Sequence, residues 1–111
     1  MIVKEGESML PEKLLIAAHQ VDVRIERLDD VWGKAFPGKL EILLSDDISP
    51  RFQLTVLWHE ILHIVSHLYS VFDDDEEEER KIQTLATAIS QVLTQNRKLT
   101  QVFLDSAQEL G

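Results

Sequence analysis

Residues 57–65 read LWHEILHIV. His59 and His63 stand four apart, Glu60 sits beside the first, and most other positions are apolar. On a helix, side chains at i and i+4 lie one above the other on one face. The stretch is therefore either a pair of buried structural histidines or half of a metal site. Its surroundings bear on the choice. Upstream, Ser49 is a good helix N-cap and Pro50 suits the first helical position. Across the helix, Val56, Leu57, Ile61, Leu62, Ile64, Val65 and Leu68 leave few polar faces. A helix apolar nearly all round is the central, buried helix of its domain.

Three polar side chains in such a place are costly without partners. A Zn²⁺ ion would be such a partner, since each imidazole can turn one ring nitrogen to it at ~2.0–2.1 Å. Glu60 need not bind the ion. It can take a proton from an attacking water and hand it to a leaving amine, while the ion acidifies that water and polarises the carbonyl. The spacing thus sets two ligands and one general base on a single rigid element.

A catalytic zinc also needs a third protein ligand. The segment after His63 is IVSHLYS, without the glycine that lets a chain turn back to offer a third histidine. His67 is one turn beyond His63 on the same face. Four residues of helix rise ~6 Å, so three stacked imidazoles converge poorly on one ion. His67 is accordingly read as a supporting or helix-face residue. The other source is the acidic run Asp73–Glu79. Most of such a run is solvated. Behind it, Ile82, Leu85, Ala86, Ile89, Val92 and Leu93 keep an apolar spacing of three to four. Extending that stripe backwards reaches Glu78 and Glu79, both at the edge of the buried face, and periodicity does not separate them.

The first half of the chain reads as strands. Leu14–Ile16 is a short apolar run, and Val21, Val23 and Ile25 alternate with Asp22, Arg24 and Glu26, the period of a half-buried strand. A turn at AAHQ makes the two a hairpin; a short helix over 11–18 is the competing reading, which the propensities allow. The PGK at 37–39 is a clearer turn signal, between a segment at Val31–Phe36 and a strand in KLEILLSDD. After NRK, residues 99–110 can form a closing helix.

Bulk properties bound the function. The 111 residues suffice for one domain, 1–111, with a modest core. Acids outnumber bases 20 to 11, for a net charge of −9, which argues against nucleic-acid partners and anionic membranes. There is no cysteine, so a metal must be held by His, Asp or Glu. That absence fits a cytoplasmic protein. No apolar signal core or run long enough to span a bilayer is evident.

The segments RFQLTVLWHEILHIVSH at 51–67 and EERKIQTLATAISQVL at 78–93 resemble those of the ImmA/IrrE-type metallopeptidases, especially their short phage and prophage members. The order of elements agrees over most of the chain. The resemblance implies a zincin-like minimal domain with His59 and His63 as ligands and Glu60 as base. The family's ligand glutamate precedes a usually small residue by three; counted so, it falls on Glu79, with Ile82 in that position. Ile82 is bulkier than the usual Ala, QTLA lacks the common Asn and Phe, and Leu62 stands where many members have Gly. The implied activity is zinc-dependent endoproteolysis of a protein or peptide, in some members a phage or stress-response repressor.

The expected fold is α+β: a small antiparallel sheet packed on the central HExxH helix, with two further helices after it. The expected site is Zn²⁺ on His59, His63 and Glu79, with Glu60 as base and His19 or Tyr69 as possible donors to the oxyanion. Two rivals come from other classes. One is a non-catalytic zinc-binding or antitoxin- or phage-inhibitor-like interaction module, docking through its acidic run. The other is a zinc hydrolase of a non-peptide amide.

Overall fold

The computed structural model describes residues 10–71 and 76–110. The N-terminal residues 1–9 and the acids Asp73–Asp75 lie outside the described residues. Four strands come first: β1 (Lys13–Ile16), β2 (His19–Glu26), β3 (Gly33–Phe36) and β4 (Glu41–Ser45), with a 3₁₀ turn at Pro37–Lys39 before β4. Three helices follow: α1 (Pro50–Tyr69), α2 (Glu76–Gln95) and α3 (Arg97–Leu110). The α+β class expected from the sequence is the class observed.

The sheet corrects one expectation. Its order is β1-β2-β4-β3. β1 pairs with β2 and β3 with β4 antiparallel, but β2 and β4 run parallel, from Asp22 beside Glu41 to Glu26 beside Ser45. The sheet is mixed, not antiparallel. Burial explains the arrangement. β2 alternates, with Val21 and Val23 buried and Asp22 and Arg24 exposed, so one of its faces can meet solvent. In β4, Ile42, Leu43, Leu44 and Ser45 are all buried. A strand apolar on both faces belongs inside a sheet. The chain therefore passes to the outer edge as β3 and returns as β4 into the gap. There Ile42 and Leu44 join the core, while Leu43 lies on the other face between its cross-strand neighbours Arg24 and Lys34. The aliphatic stems of these two can shelter it.

The hairpin reading of residues 13–26 is the one observed, and the short helix over 11–18 is not. Its turn is unusual in composition. Ala17 and Ala18 both take positive φ, 52° and 66°, the pattern that two-residue hairpin loops ordinarily fill with Asn-Gly. Two β-carbons are thus held where L-residues are disfavoured.

α1 starts where its cap signals place it, with Ser49 Oγ accepting from Phe52 N, and it ends at Ser70 in a left-handed conformation. Val56, Leu57 and Ile64 pack with Ile16, Val21, Val23, Ile42 and Leu44 as the core. Gln53 Nε2 donates to the Ser45 carbonyl at 3.0 Å, tying the helix to the end of β4. α2 covers another side of α1. Its buried row is Glu78, Ile82, Ala86 and Ser90, at strict four-residue spacing, while Leu85 and Val92, expected in the apolar stripe, are exposed. A helix packing along one neighbour buries one row, narrower than the stripe the sequence suggests. α3 begins two residues earlier than expected and leaves Val102, Phe103 and Leu104 exposed. From Arg97 to Asp105 it adds no buried residue to the core.

Replacing Ala17-Ala18 by Asn-Gly is expected to stabilise the fold by ~1 kcal/mol, by relieving the positive-φ strain. Denaturant titration would read this as a higher midpoint with an unchanged slope.

Candidate metal centre

The face of α1 turned toward α2 carries His59, His63 and Ser66, one helical turn after another, and Glu60, next to His59, lies between that face and the sheet. α2 runs antiparallel across α1 and brings Glu79 to both histidines. Glu79 Oε1 lies 2.7 Å from His59 Nε2, and Oε2 lies 2.9 Å from His63 Nε2. The two imidazole Nε2 atoms are 3.2 Å apart. Among the described residues, these three are the group of His, Asp or Glu side chains whose ligand atoms all fall within 4.8 Å of one another.

The donor set suits zinc. Four donors at zinc-ligand distances in a tetrahedron stand about 3.4 Å apart, so the observed spacing needs adjustment by only fractions of an ångström. The side chain of Gln83, one turn beyond Glu79 on α2, meets His59 Nδ1 through its Oε1 at 2.7 Å. With that oxygen accepting, Nδ1 carries the hydrogen and Nε2 presents a lone pair. A carboxylate and imidazole lone pairs so close together repel unless a cation or a proton lies among them. Two nitrogens and one carboxylate also leave a coordination position open.

Glu78 and Glu79, equivalent by periodicity, part company here. Glu79 is 63 % exposed at its side chain and faces the histidines. Glu78 is buried and accepts from Ser66 Oγ at 2.5 Å. His67 lines the cleft beside the cluster without belonging to it. His19 and Tyr69 do not line the cleft. His19 opens β2 at the hairpin, near the sheet edge opposite β3, and Tyr69 lines an apolar groove with Leu14, Leu57 and Trp58. Lys34 and His67 are cationic or polar side chains that line it instead.

Glu60 is only 6 % exposed. Burial pushes its carboxyl up to about 7, the charge on Glu79 adds to the rise, and His59 opposes it. Its room is made by Gly33, the first residue of the edge strand β3. A β-carbon at Gly33 would lie 2.5 Å from Val56 Cγ1 and 3.1 Å from Glu60 Oε2. The sequence reading passed over both Gly33 and Gln83. Gln83 has a signal, its four-residue spacing from Glu79; Gly33 has none, because its role depends on which strand lies over α1.

Two clefts flank the cluster, of about 670 Å³ and 450 Å³. Gly33, His59, Glu60 and Glu79 border both. β3 therefore runs along the site as a sheet edge, with Trp32 packed edge-on to Phe52 at 4.8 Å beside the smaller cleft. Comparison with known proteins finds no matching family model, no matching curated protein and no matching solved structure.

His59→Ala and His63→Ala are each expected to abolish stoichiometric zinc in the purified protein, measured by elemental analysis. Glu79→Gln should weaken zinc by at least ~10-fold, while Glu77→Gln changes it little. Glu77 is exposed and paired with Arg80. Full zinc in both histidine variants would remove the site. Gly33→Ala should cost ~1–3 kcal/mol of stability, because Val56 and Glu60 must both give way; an unchanged denaturation midpoint would show that β3 yields instead.

Proposed function

We propose that this protein is a zinc-dependent endopeptidase of the ImmA/IrrE type. The observation that carries the reading is the convergence of His59, His63 and Glu79 beside a buried Glu60. It agrees with the resemblance carried by residues 51–67 and 78–93. A bound zinc would supply Lewis acidity toward the scissile carbonyl and toward the attacking water.

The chain's own residues do the rest. His59, His63 and Glu79 hold the ion, and Gln83 fixes the tautomer and ring direction of His59. Glu60 accepts the proton of the attacking water and delivers it to the leaving amine. Burial weakens its acidity, raising its pKa to about 7, which lets it hold the proton before passing it on. A dication nearby favours its carboxylate form, the one that acts as base.

The sheet edge favours a peptide over a small amide. β3 borders both clefts, and an extended chain can add to such an edge through backbone hydrogen bonds. The substrate is then an extended segment of a protein, with a regulatory protein the class that the resemblance suggests. Among the described residues no helix is long and apolar enough to cross a membrane. The cysteine-free sequence suits a cytoplasmic enzyme.

A second reading keeps the zinc and drops the turnover. Its support is α3, whose Val102, Phe103 and Leu104 are exposed together, a surface that a small peptidase does not need and an interaction module does. One variant separates the two. Glu60→Gln preserves shape and cannot accept the proton, so it should retain zinc and lose at least ~100-fold in peptide cleavage. A peptide-library digest by parent and variant measures this. Equal cleavage by the two removes Glu60 from the mechanism, and no cleavage by a zinc-loaded parent favours the interaction module.

A further inference from the structure

We propose that Ser66 and Glu78 are a positioning pair that sets the rotation of α2 and thereby aims Glu79 at the metal; the inference rests on the metal-site reading above. Glu79 is largely exposed, so packing does little to orient it. Its direction must come from the backbone of the first turns of α2. Glu78, its immediate neighbour, is 9 % exposed, and Ser66, on α1, is 5 % exposed. The Ser66 hydroxyl donates to Glu78 Oε1 at 2.5 Å, the length of a strong bond to a charged acceptor.

Glu78 occupies the innermost row of α2, in line with Ile82 and Ala86, which are fully buried. An apolar residue would pack there without desolvating a charge. A carboxylate in that place costs free energy unless its hydrogen bonds are made. What it adds is direction. Apolar rows tolerate small rotations, whereas a short hydrogen bond to one hydroxyl does not. Successive helical residues differ by ~100° in direction. With Glu78 pinned to Ser66, Glu79 must emerge on the side of His59 and His63. Released, the first turns can roll, and Glu79 can leave the histidines while Ile82 stays buried.

A clamp that merely stabilises the helix pair would weaken zinc equally with or without the third ligand. A positioning pair acts through Glu79, so its effect must vanish when Glu79 is removed. Zinc affinity is measured by competition with a chromophoric chelator for the parent, Ser66→Ala, Glu79→Gln and the double variant. Ser66→Ala is expected to cost ~10-fold in the parent background and under ~3-fold in the Glu79→Gln background. The visible spectrum of the Co²⁺-loaded protein should change with Ser66→Ala, through the altered carboxylate ligand. Glu78→Ala should likewise lose its effect once Glu79 is replaced. Glu78→Gln keeps an acceptor for the Ser66 hydroxyl and should hold affinity within ~3-fold of the parent. If Ser66→Ala does not fold, the two Glu78 variants make the same comparison. Equal losses in both backgrounds, or no loss in either, overturn the pair while leaving the metal site intact. A parent that binds no zinc overturns the metal reading and this inference with it.

Discussion

One helix must serve two opposed purposes, and the rest of the structure follows from that constraint. α1 supplies Val56, Leu57 and Ile64 to the core against the sheet. From another face it presents two imidazoles and a hydroxyl, with the Glu60 carboxylate between the two faces. Polar groups on a core helix are tolerable only where each finds a partner. The partners come from α2: Glu79 and Gln83 for the histidines, Glu78 for Ser66. Glu60 is the exception. It is buried against β3, and its carboxyl is displaced toward the neutral form. A group held away from its ordinary protonation state, beside a ring of potential ligands, is the kind of strain that functional sites retain.

The sheet answers to the same constraint. α1 needs an apolar surface to lie on and a narrow neighbour beside Glu60. β4, buried on both faces, supplies the surface from inside the sheet, and β3, starting with Gly33, supplies the neighbour at its edge. Were the strands joined in simple sequence order, β3 would lie inside and β4 at the rim. The outer edge of β4 would then be open to solvent, and the glycine would be removed from its place over Val56 and Glu60. The parallel pairing of β2 with β4 is thus the topology that places both residue types where they can act.

Much of this was legible in the residues. Ser49 and Pro50 mark the start of α1 because capping is local chemistry. The spacing of His59 and His63 marks one face because helical geometry is fixed. PGK marks a turn for the same kind of reason. The hairpin was less legible, since Ala17 and Ala18 carry no turn preference and adopt positive φ only because the pairing of β1 with β2 holds them there. Strand order was not legible beyond the continuous apolar run of β4, which hints at a central strand without naming its neighbours. The choice between Glu78 and Glu79 was beyond periodicity. Both lie near the edge of the stripe, and only the placement of α2 on α1 decides which is innermost. The family resemblance pointed to Glu79, the residue that the fold sets beside the histidines.

The antiparallel crossing of α1 and α2 explains why so few residues can define the centre. From His59 to His63 is four residues forward on α1; from Gln83 to Glu79 is four residues back on α2. Each histidine therefore meets α2 one turn apart, and a single helix face serves both. A slip of one residue in this crossing would turn α2 by ~100°, bringing a different side chain to the imidazoles. Apolar packing of Ile82 and Ala86 alone resists such a slip weakly, because neighbouring residues of similar size can repack. Polar contacts at fixed heights add to this, most of all the buried Ser66–Glu78 bond, because a mismatched hydrogen bond inside the fold is lost outright. The links at His59–Gln83, His63–Glu79 and Ser66–Glu78 lie at successive heights along α1. Together they hold the crossing to one register, and only in that register do two imidazoles and a carboxylate share a point.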